Sequence, residues 1–430
     1  MNQIIHPITS IKGSIEVPGD KSISHRAVML GALSLGNTHI HGFLNGEDCL
    51  STIRVFRQLG VEIDRVAETS YIIKGKGLNQ LQEPKYVLDV GNSGTTIRLT
   101  AGILAGQPFH SVLIGDDSIL KRPMKRIKEP LSLMGAKIDG REEGKYAPLS
   151  IRGGKLKGIA YHSPVASAQV KSAILFAGLF ADQKTTVIEP FQSRDHSENM
   201  LLQFGAKLEK TNQEVTIWPS PRLEGQEVNI PGDFSSAAFF IAAALLVPNS
   251  LLRIKNIGLN PTRIGFLQAM QQMNGQIEIL NLHYEGNESV GDILVKSSNL
   301  QGITISGDWI PKIIDELPLF AVVATQAEGI TKVTNAEELR VKESDRISTI
   351  VNELRQVGVK VEELTDGFVI EGKQRIQGGQ VSTHGDHRIG MAMAIAGLIA
   401  KEPIIIQQAE AVNISYPQFF EHLRQISTIK

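Results

Sequence analysis

Basic residues recur at the starts of apolar segments in this sequence. Lys21 and Arg26 fall in the opening turns of the first such segment, Arg98 in the second, Lys171 in the third and Arg388 in the last. The free N–H groups of a helix start carry partial positive charge, so this position favours anions over cations. A buried cation without a partner is costly, and these five residues together therefore predict an anionic ligand. For each residue alone, a structural ion pair or a side chain that reaches solvent is the alternative.

Two further stretches gather charge. In LKRPMKRIKEP most cations fit a solvated helix face, and only Arg122, which precedes a proline, is expected to be held stiffly. In ELRVKESDRISTIVNEL the apolar spacing predicts a helix that starts near Ser344 as N-cap. This start brings Lys342, Glu343 and Arg346 together. Glu343 is then either a salt-bridge partner or an acid that transfers protons beside an anion site.

Composition limits the class of protein. The chain has 430 residues, 42% of them hydrophobic, which exceeds one ordinary core and predicts at least two domains. The net charge of −1 argues against binding to nucleic acid or an acidic membrane surface. The single cysteine, Cys49, excludes an intramolecular disulfide. MNQIIHPITSIKG does not resemble a secretory signal, and GMAMAIAGLIA is too short to span a membrane, so we expect a cytoplasmic protein.

Internal repeats organise the chain. The phrase PGDKSIS, at 18–24, returns as PGDFSSA at 231–237, and Lys21 of the first copy is replaced by Phe234, which is expected to pack. Six units each contain an apolar helix rich in alanine and glycine, followed by an amphipathic helix. A glycine follows the second helix in five units and is predicted to end it in the left-handed conformation: Gly60, Gly135, Gly205, Gly275 and Gly358.

The repeats predict the domain organisation. Valine- and isoleucine-rich strands lie between the helices, which indicates an α/β fold of two similar domains with three units each. The first domain is predicted to span 20–228, and the second to combine 1–19 with 229–430. Ligands often bind between domains, so we expect the active site in the cleft between these two.

Eight motifs, in this order, carry a family resemblance: PGDKSISHRA, GNSGTTIRLTAG, RPMKRI, SAQVKSA, SRDHSE, IDELP, LRVKESDR and GDHRIGMA. Together they resemble the 5-enolpyruvylshikimate-3-phosphate synthase family over nearly the whole chain. The resemblance implies three βαβαββ units with buried helices in each domain, as in the inside-out α/β barrel of enolpyruvyl transferases. It also implies transfer of the enolpyruvyl group of phosphoenolpyruvate to shikimate 3-phosphate. Neither a metal nor an organic cofactor is implied, and we expect a monomer.

The resemblance assigns substrate ligands residue by residue. Those implied for shikimate 3-phosphate are Lys21, Ser22, Arg26, Ser167, Gln169, Ser193, Arg194, Asp315 and Lys342. Those implied for phosphoenolpyruvate are Lys21, Asn92, Gly94, Arg122, Gln169, Arg346 and Arg388. This is chemically consistent, because each substrate carries a carboxylate and a phosphate and arginine binds such groups through two parallel hydrogen bonds.

Three residues are implied in catalysis. Asp315 would be the base that takes the proton of the 5-hydroxyl group, and Glu343 would transfer a proton at the methylene carbon, with Lys21 as a second candidate. Coupled acids and bases in one site can exchange such roles, so the sequence leaves the assignment of each proton open.

Other classes of protein remain as alternatives. UDP-N-acetylglucosamine enolpyruvyl transferase shares the fold, but its typical members use a cysteine on a mobile loop, whereas KRPMKR has no cysteine nearby and Cys49 is expected to be packed. RNA 3′-phosphate cyclase is a more distant relative that needs ATP and a reactive histidine. A non-catalytic repeat scaffold would not need cations at the starts of buried helices.

Overall fold

The chain folds into two compact units in a computed structural model that describes residues 1–219 and 222–429. The first unit consists of Gly19–Ile230 with Glu285–Glu288. The second consists of Met1–Pro18, Pro231–Tyr284 and Ser289–Lys430. Each unit has its own hydrophobic core.

Apart from two single turns, largely buried helices alternate along the chain with amphipathic ones. In the first unit they are α1 (Lys21–Leu33), α2 (Glu47–Gln58), α3 (Gly94–Ala105), α4 (Lys125–Leu133), the single turn α5 (Arg141–Gly144), α6 (Ala168–Gly178) and α7 (His196–Gln203). In the second they are α8 (Phe234–Leu246), α9 (Gly265–Gln272), the single turn α10 (Ile310–Ile313), α11 (Leu317–Ala324), α12 (Arg346–Gln356), α13 (His387–Leu398) and α14 (Phe419–Ile426). Short 3-10 turns lie at Ile119–Lys121, Gly307–Trp309, Ile314–Glu316, Glu337–Val341 and Ala409–Ile414.

The strands are short and lie between the helices. The strands up to the end of the first unit are β1 (Gln3–Ile5), β2 (Ile8–Glu16), β3 (Leu35–His41), β4 (Glu62–Ala67), β5 (Ser70–Lys76), β6 (Leu88–Asp89), β7 (His110–Ile114), β8 (Lys137–Gly140), β9 (Tyr146–Arg152), β10 (Ala160–His162), β11 (Thr185–Ile188), β12 (Leu208–Lys210), β13 (Glu214–Ile217) and β14 (Glu227–Asn229). Those that follow are β15 (Leu251–Gly258), β16 (Gln276–Glu285), β17 (Glu288–Lys296), β18 (Thr304–Ile305), β19 (Ile330–Val333), β20 (Glu362–Leu364), β21 (Gly367–Glu371), β22 (Gly379–Ser382), β23 (Ile404–Gln407) and β24 (Ser427–Ile429).

These strands form six sheets, three in each unit. The first unit contains β14-β3-β5-β4, β6-β7-β9-β8 and β10-β11-β13-β12, and the second contains β16-β17-β15-β2-β24, β18-β19-β21-β20 and β1-β23-β22. Parallel and antiparallel pairs occur in the same sheet, as where β15 lies parallel to β2 and antiparallel to β17. The predicted α/β class with three helix-and-sheet repeats in each half is confirmed, and none of these sheets closes into a barrel by itself within the described residues.

The first helix of a repeat is largely buried, and in five of the six repeats a side chain caps its start, α11 being the exception. Asp20 accepts a hydrogen bond from the N–H of Ile23 at the start of α1, and Asp233 accepts one from Ser236 at the start of α8. These two aspartates belong to the repeated PGD phrase, so the phrase recurs because it starts equivalent helices. Phe234 is buried in the core of the second unit, as predicted for the position that holds Lys21 in the first copy.

Glycine or asparagine follows the second helix in five of the six repeats, and α14 is followed by Ser427 instead. Gly60, Gly135, Gly205 and Gly358 have φ angles of 84°, 108°, 91° and 85°, as predicted for a left-handed helix end. In the fourth repeat the prediction of Gly275 is wrong, because Asn274 takes the left-handed position with a φ of 67°. Asparagine tolerates this conformation better than other residues with a side chain.

The buried helices α3 and α6 pack at unusually short distance. A Cβ atom added at Gly102 in α3 would lie 2.1 Å from the carbonyl oxygen of Ala173 in α6. No rotamer change can relieve a clash with main-chain atoms, so the helices can approach this closely only because residue 102 lacks a side chain.

None of the helices described at 1–219 and 222–429 has both the length and the apolar character that crossing a membrane would require.

Gly102→Ala should destabilise the first unit. Over-packing of a core costs about 1–3 kcal/mol, and urea unfolding followed by circular dichroism would show a lower midpoint for this variant. Gly154→Ala is the matched control, because nothing lies within 4 Å of the added Cβ atom there. Equal midpoints for the two variants would contradict the close packing of α3 and α6.

Candidate active site

The helix starts of α1, α3 and α6 are joined by hydrogen bonds in the first unit. Arg26 of α1 donates to the hydroxyl of Ser172 in α6 at 2.9 Å. Arg98 of α3 donates to the side-chain oxygen of Gln169, and Gln169 donates to Thr95 at 3.1 Å. The sequence thus places polar residues at the starts of three buried helices, and packing of those helices brings the residues together.

Arg26 is a buried cation held mainly by neutral groups. Its side chain donates to Ser197 at 2.6 Å, to Ser172 at 2.9 Å and to the carbonyl oxygen of Ser22 at 2.9 Å. Burial lowers the pKa of Arg26 to about 10, so the guanidinium remains charged at neutral pH. Since these partners are hydroxyl and carbonyl groups, the charge remains available to attract an anion.

The two lysines at helix starts have different partners. Lys21, at the first position of α1, forms an ion pair with Asp48 of α2 and is partly exposed. Lys171 lies 2.9 Å from Glu189 and 2.8 Å from Glu198, and all three side chains are buried. Burial would lower the pKa of Lys171, but the two carboxylates raise it above its ordinary value. The prediction that Lys171 faces an anionic ligand is therefore wrong, and the alternative of a structural ion pair is correct.

Arg122, Asn92 and Gly94 come together at the start of α3. The guanidinium of Arg122 donates to the side-chain oxygen of Asn92 and to the hydroxyl of Ser118, both at 3.0 Å. A Cβ atom at Gly94 would lie 2.8 Å from Nη1 of Arg122. A glycine at position 94 therefore leaves room for the guanidinium, and three residues expected to bind phosphoenolpyruvate are neighbours in the structure.

Ser167 and Ser193 share one buried carboxylate. Ser167 is the N-cap of α6 and its N–H donates to Glu189 at 3.0 Å. The hydroxyl of Ser193 donates to the same carboxylate at 2.9 Å. Arg194 follows Ser193 in the segment before α7 and is half-buried. Serines from separate stretches of the chain are thus fixed relative to each other.

Arg346 is the centre of a second cluster, which lies in the second unit. Its side chain is 1% exposed and donates to Asp386 at 2.8 Å, Glu343 at 2.6 Å and Asp315 at 3.2 Å. Burial would lower the pKa of Arg346, but these three carboxylates raise it. Asp315 and Glu343, the two candidate proton-transfer residues, therefore share one arginine.

Arg388 and Lys342 border this cluster. Arg388 donates to the main-chain oxygen of Asp315 at 3.0 Å and lies 3.5 Å from Glu316. Lys342 lies 3.7 Å from Glu338 and is partly exposed. The structure thus joins Asp315, Glu343, Arg346 and Arg388 directly, whereas no such contact links Lys342 to them in the described residues.

The local cap of α12 differs from the prediction. Asp345, not Ser344, is the N-cap, and its side chain accepts from the N–H of Ser348 at 3.1 Å. Ser344 instead donates its hydroxyl to Asp386 at 3.1 Å. Serine and aspartate are both good N-caps, so the sequence could not distinguish these two residues. The hydrogen bond from Ser344 to Asp386 forms only in the tertiary fold.

Sequence reasoning missed two buried residues of this cluster. Asp386 caps α13 and binds Arg346, and it could have been found because it precedes a buried helix as Asp20 does. Arg263 donates to the hydroxyl of Ser235 and has Nη1 3.9 Å from a carboxylate oxygen of Asp315. Nothing in the surrounding letters NPTRIGF indicated a role for Arg263.

Cys49 is buried, and its thiol donates to the carbonyl oxygen of Lys21 at 3.7 Å, as expected for a packed residue. Within residues 1–219 and 222–429, no group of three or more His, Cys, Asp or Glu side chains is arranged to hold a metal ion.

A hydrogen-bonded chain connects α1 to the cap of α3. Nδ1 of His25 lies 2.6 Å from the hydroxyl of Thr52, which lies 2.7 Å from the hydroxyl of Thr96. Thr96 donates to Ser93, the cap of α3, at 2.7 Å. Burial lowers the pKa of His25 from 6.5 to about 3, so the imidazole is neutral at physiological pH.

His25→Asn should flatten the acid dependence of stability. The unfolded chain binds a proton at His25 below pH 6.5, whereas the folded chain binds one only near pH 3. Proton binding therefore favours the unfolded state below pH 6.5, and the free energy of unfolding falls as the pH drops from 6.5 towards 3. The wild-type free energy of unfolding should therefore fall by up to about 1.4 kcal/mol per pH unit from this group, and the variant should lack that slope. His6→Asn, at an exposed position, is the control. Equal slopes for wild type and His25→Asn, from urea unfolding at pH 5–7, would contradict a neutral buried His25.

Comparison with known proteins supports the resemblance. A family model described as EPSP synthase (3-phosphoshikimate 1-carboxyvinyltransferase) matches residues 5–423. A 3-phosphoshikimate 1-carboxyvinyltransferase of Bacillus cytotoxicus is 57% identical over 416 residues, which cover 97% of this chain and 98% of the relative. The enzyme of the same name from Bacillus subtilis is 53% identical over 98% of both chains.

Solved structures give the same result. The EPSP synthase of Acinetobacter baumannii has a TM-score of 0.89 and 42% identity, and the match covers 100% of this chain and 98% of that one. The enolpyruvyl transferase NikO of Streptomyces tendae has a TM-score of 0.76 over 98% of this chain and 96% of its own, but at 14% identity it shows a shared fold only. Motifs, fold and near-full-length identity agree, and the chain belongs to the EPSP synthase family.

Proposed function

We propose that this protein transfers the enolpyruvyl group of phosphoenolpyruvate to the 5-hydroxyl of shikimate 3-phosphate and releases phosphate, a step towards chorismate and the aromatic amino acids. The observation that carries the proposal is the cluster in which one buried arginine, Arg346, contacts both Asp315 and Glu343. It combines a cation for an anionic substrate with two groups that can move protons. Family membership over residues 5–423 supports the same reaction.

The substrates are assigned to the residues implied by the family resemblance. Shikimate 3-phosphate contacts Lys21, Ser22, Arg26, Ser167, Gln169, Ser193, Arg194, Asp315 and Lys342. Phosphoenolpyruvate contacts Lys21, Asn92, Gly94, Arg122, Gln169, Arg346 and Arg388. The buried position of Arg26 supports this assignment, because a phosphate would meet a charge that hydroxyl groups hold in place.

The reaction is an addition followed by an elimination. Asp315 takes the proton of the 5-hydroxyl as its oxygen attacks C2 of phosphoenolpyruvate, and Glu343 or Lys21 adds a proton at C3. The resulting tetrahedral intermediate loses phosphate from C2 and a proton from C3, which restores the carbon–carbon double bond. Arg346 contacts both carboxyl groups and orients them for these transfers.

Further expectations belong to the same proposal. Assigned ligands come from both three-repeat domains, which supports binding in the cleft between 20–228 and the domain of 1–19 plus 229–430. We also propose that the enzyme acts in the cytoplasm, as a monomer, without metal or organic cofactor and without nucleic acid or membrane.

Phosphate release tests the function directly. The purified protein should release phosphate only when phosphoenolpyruvate and shikimate 3-phosphate are both present, and the product should carry an enolpyruvyl ether at the 5-oxygen. UDP-N-acetylglucosamine in place of shikimate 3-phosphate tests the rival transferase. The proposal would be overturned if phosphoenolpyruvate released phosphate with UDP-N-acetylglucosamine but not with shikimate 3-phosphate.

Asp315→Asn and Glu343→Gln should separate the two proton transfers. Each change keeps the shape of the side chain and removes its basicity, so turnover should fall by about 10²- to 10⁴-fold in the first variant while shikimate 3-phosphate still binds. Glu343→Gln should in addition slow exchange of the methylene hydrogens with solvent, measured by NMR in deuterated water. Turnover of Asp315→Asn within a few-fold of wild type would remove Asp315 as the base, and unchanged exchange in Glu343→Gln would remove Glu343 from protonation at C3.

A further inference from the structure

Glu189 is a buried carboxylate that holds two serines at once. One oxygen accepts from the main-chain N–H of Ser167 at 3.0 Å. The other accepts from Ser193, both from its N–H at 3.3 Å and from its hydroxyl at 2.9 Å. The side chain of Glu189 is 3% exposed, so water cannot replace these contacts readily.

Lys171 offsets the charge of this carboxylate. Its ammonium group lies 2.9 Å from Glu189 and also donates to the carbonyl oxygen of Ser193 at 3.4 Å. Both main-chain polar groups of Ser193 are therefore bound by the Glu189–Lys171 pair. A buried carboxylate alone would repel a phosphate nearby. Lys171, which Glu189 shares with Glu198, offsets part of this charge, and burial raises the pKa of Glu198, so Glu189 can orient phosphate-binding residues at a lower electrostatic cost.

The hydroxyl groups of the two serines make different hydrogen bonds. The hydroxyl of Ser167 accepts a cap bond from Val170 at 3.5 Å, which leaves its proton free to donate to an anion. The hydroxyl of Ser193 donates to Glu189 and can turn its proton towards a phosphate by rotation about one bond. In both cases Glu189 fixes the main chain and thereby the position of the hydroxyl oxygen.

We infer that Glu189 is a positioning residue for the phosphate group of shikimate 3-phosphate, which it serves by holding Ser167 and Ser193. The inference rests on the proposed function, in which these serines bind that substrate. It also assigns a role to the Lys171 ion pair, which the reaction itself does not use.

The test compares how one substitution changes the binding of each substrate. In Glu189→Gln the amide oxygen can accept fewer hydrogen bonds than the carboxylate, and Lys171 keeps only Glu198 of its two acidic partners, so both serine segments should shift. The dissociation constant of shikimate 3-phosphate, from calorimetry, and its KM should rise about ten-fold or more. The KM for phosphoenolpyruvate and kcat should remain within about three-fold of wild type, because Arg122, Arg346 and Arg388 are not held by Glu189.

Asp292→Asn is the matched control. Asp292 also binds a main-chain N–H, that of Asn256 at 2.8 Å, and an arginine, Arg253, but it touches no assigned substrate ligand. This variant should lower stability and leave both KM values unchanged. Glu189→Asp keeps the charge but is one methylene too short to reach both serines, so it should give the same substrate split and serves as the second variant if Glu189→Gln does not fold.

A double-mutant cycle separates positioning from general damage. If Glu189 acts through Ser193, the losses of Glu189→Gln and Ser193→Ala in shikimate 3-phosphate affinity should not add. Equal rises in both KM values, or no rise in either, would overturn the inference while wild-type turnover upholds the proposed function. Absence of turnover in the wild type would instead refute the proposed function itself.

Discussion

Neutralisation of buried cations at helix starts is the constraint on which the rest of this structure depends. An arginine or lysine removed from water is tolerated only if acids, hydroxyl groups or carbonyl groups surround it. Arg346 meets this requirement with three carboxylates, and Lys171 meets it with two. Arg26 is bound mainly by serine oxygens, which carry no formal charge. Its positive charge is therefore the least neutralised of these three cations and the most available to an anionic ligand.

The two units use this constraint differently. In the first unit, the groups that bind Arg26 and Arg122 are mainly hydroxyl, amide and carbonyl oxygens, which suits binding of phosphate and carboxylate groups. In the second, Arg346 and Arg388 contact Asp315, either through its carboxylate or through its main-chain oxygen. A substrate anion bound by these arginines must therefore share them with the carboxylate of Asp315.

The sequence predicted what depends on local patterns. The six buried helices followed from their alanine- and glycine-rich composition, and the repeated PGD phrase correctly indicated equivalent starts of α1 and α8. The sequence could not predict contacts that depend on the tertiary fold. Lys171 was misassigned because Glu189 and Glu198 come from the loop and helix that follow it, and Arg263 gave no signal for the same reason. Near-equivalent residues also misled, as when Asn274 took the place of Gly275.

The most direct test of the proposed roles of these cations is a crystal structure of the protein with shikimate 3-phosphate bound. We predict that oxygens of its phosphate lie within hydrogen-bond distance of the hydroxyl groups of Ser167 and Ser193, with Glu189 still bound to the main chain of both and Lys171 still paired with Glu189. The 5-hydroxyl should then lie within hydrogen-bond distance of the carboxylate of Asp315. A phosphate bound instead to Lys171, or a 5-hydroxyl remote from Asp315, would contradict the division between structural and substrate-binding cations.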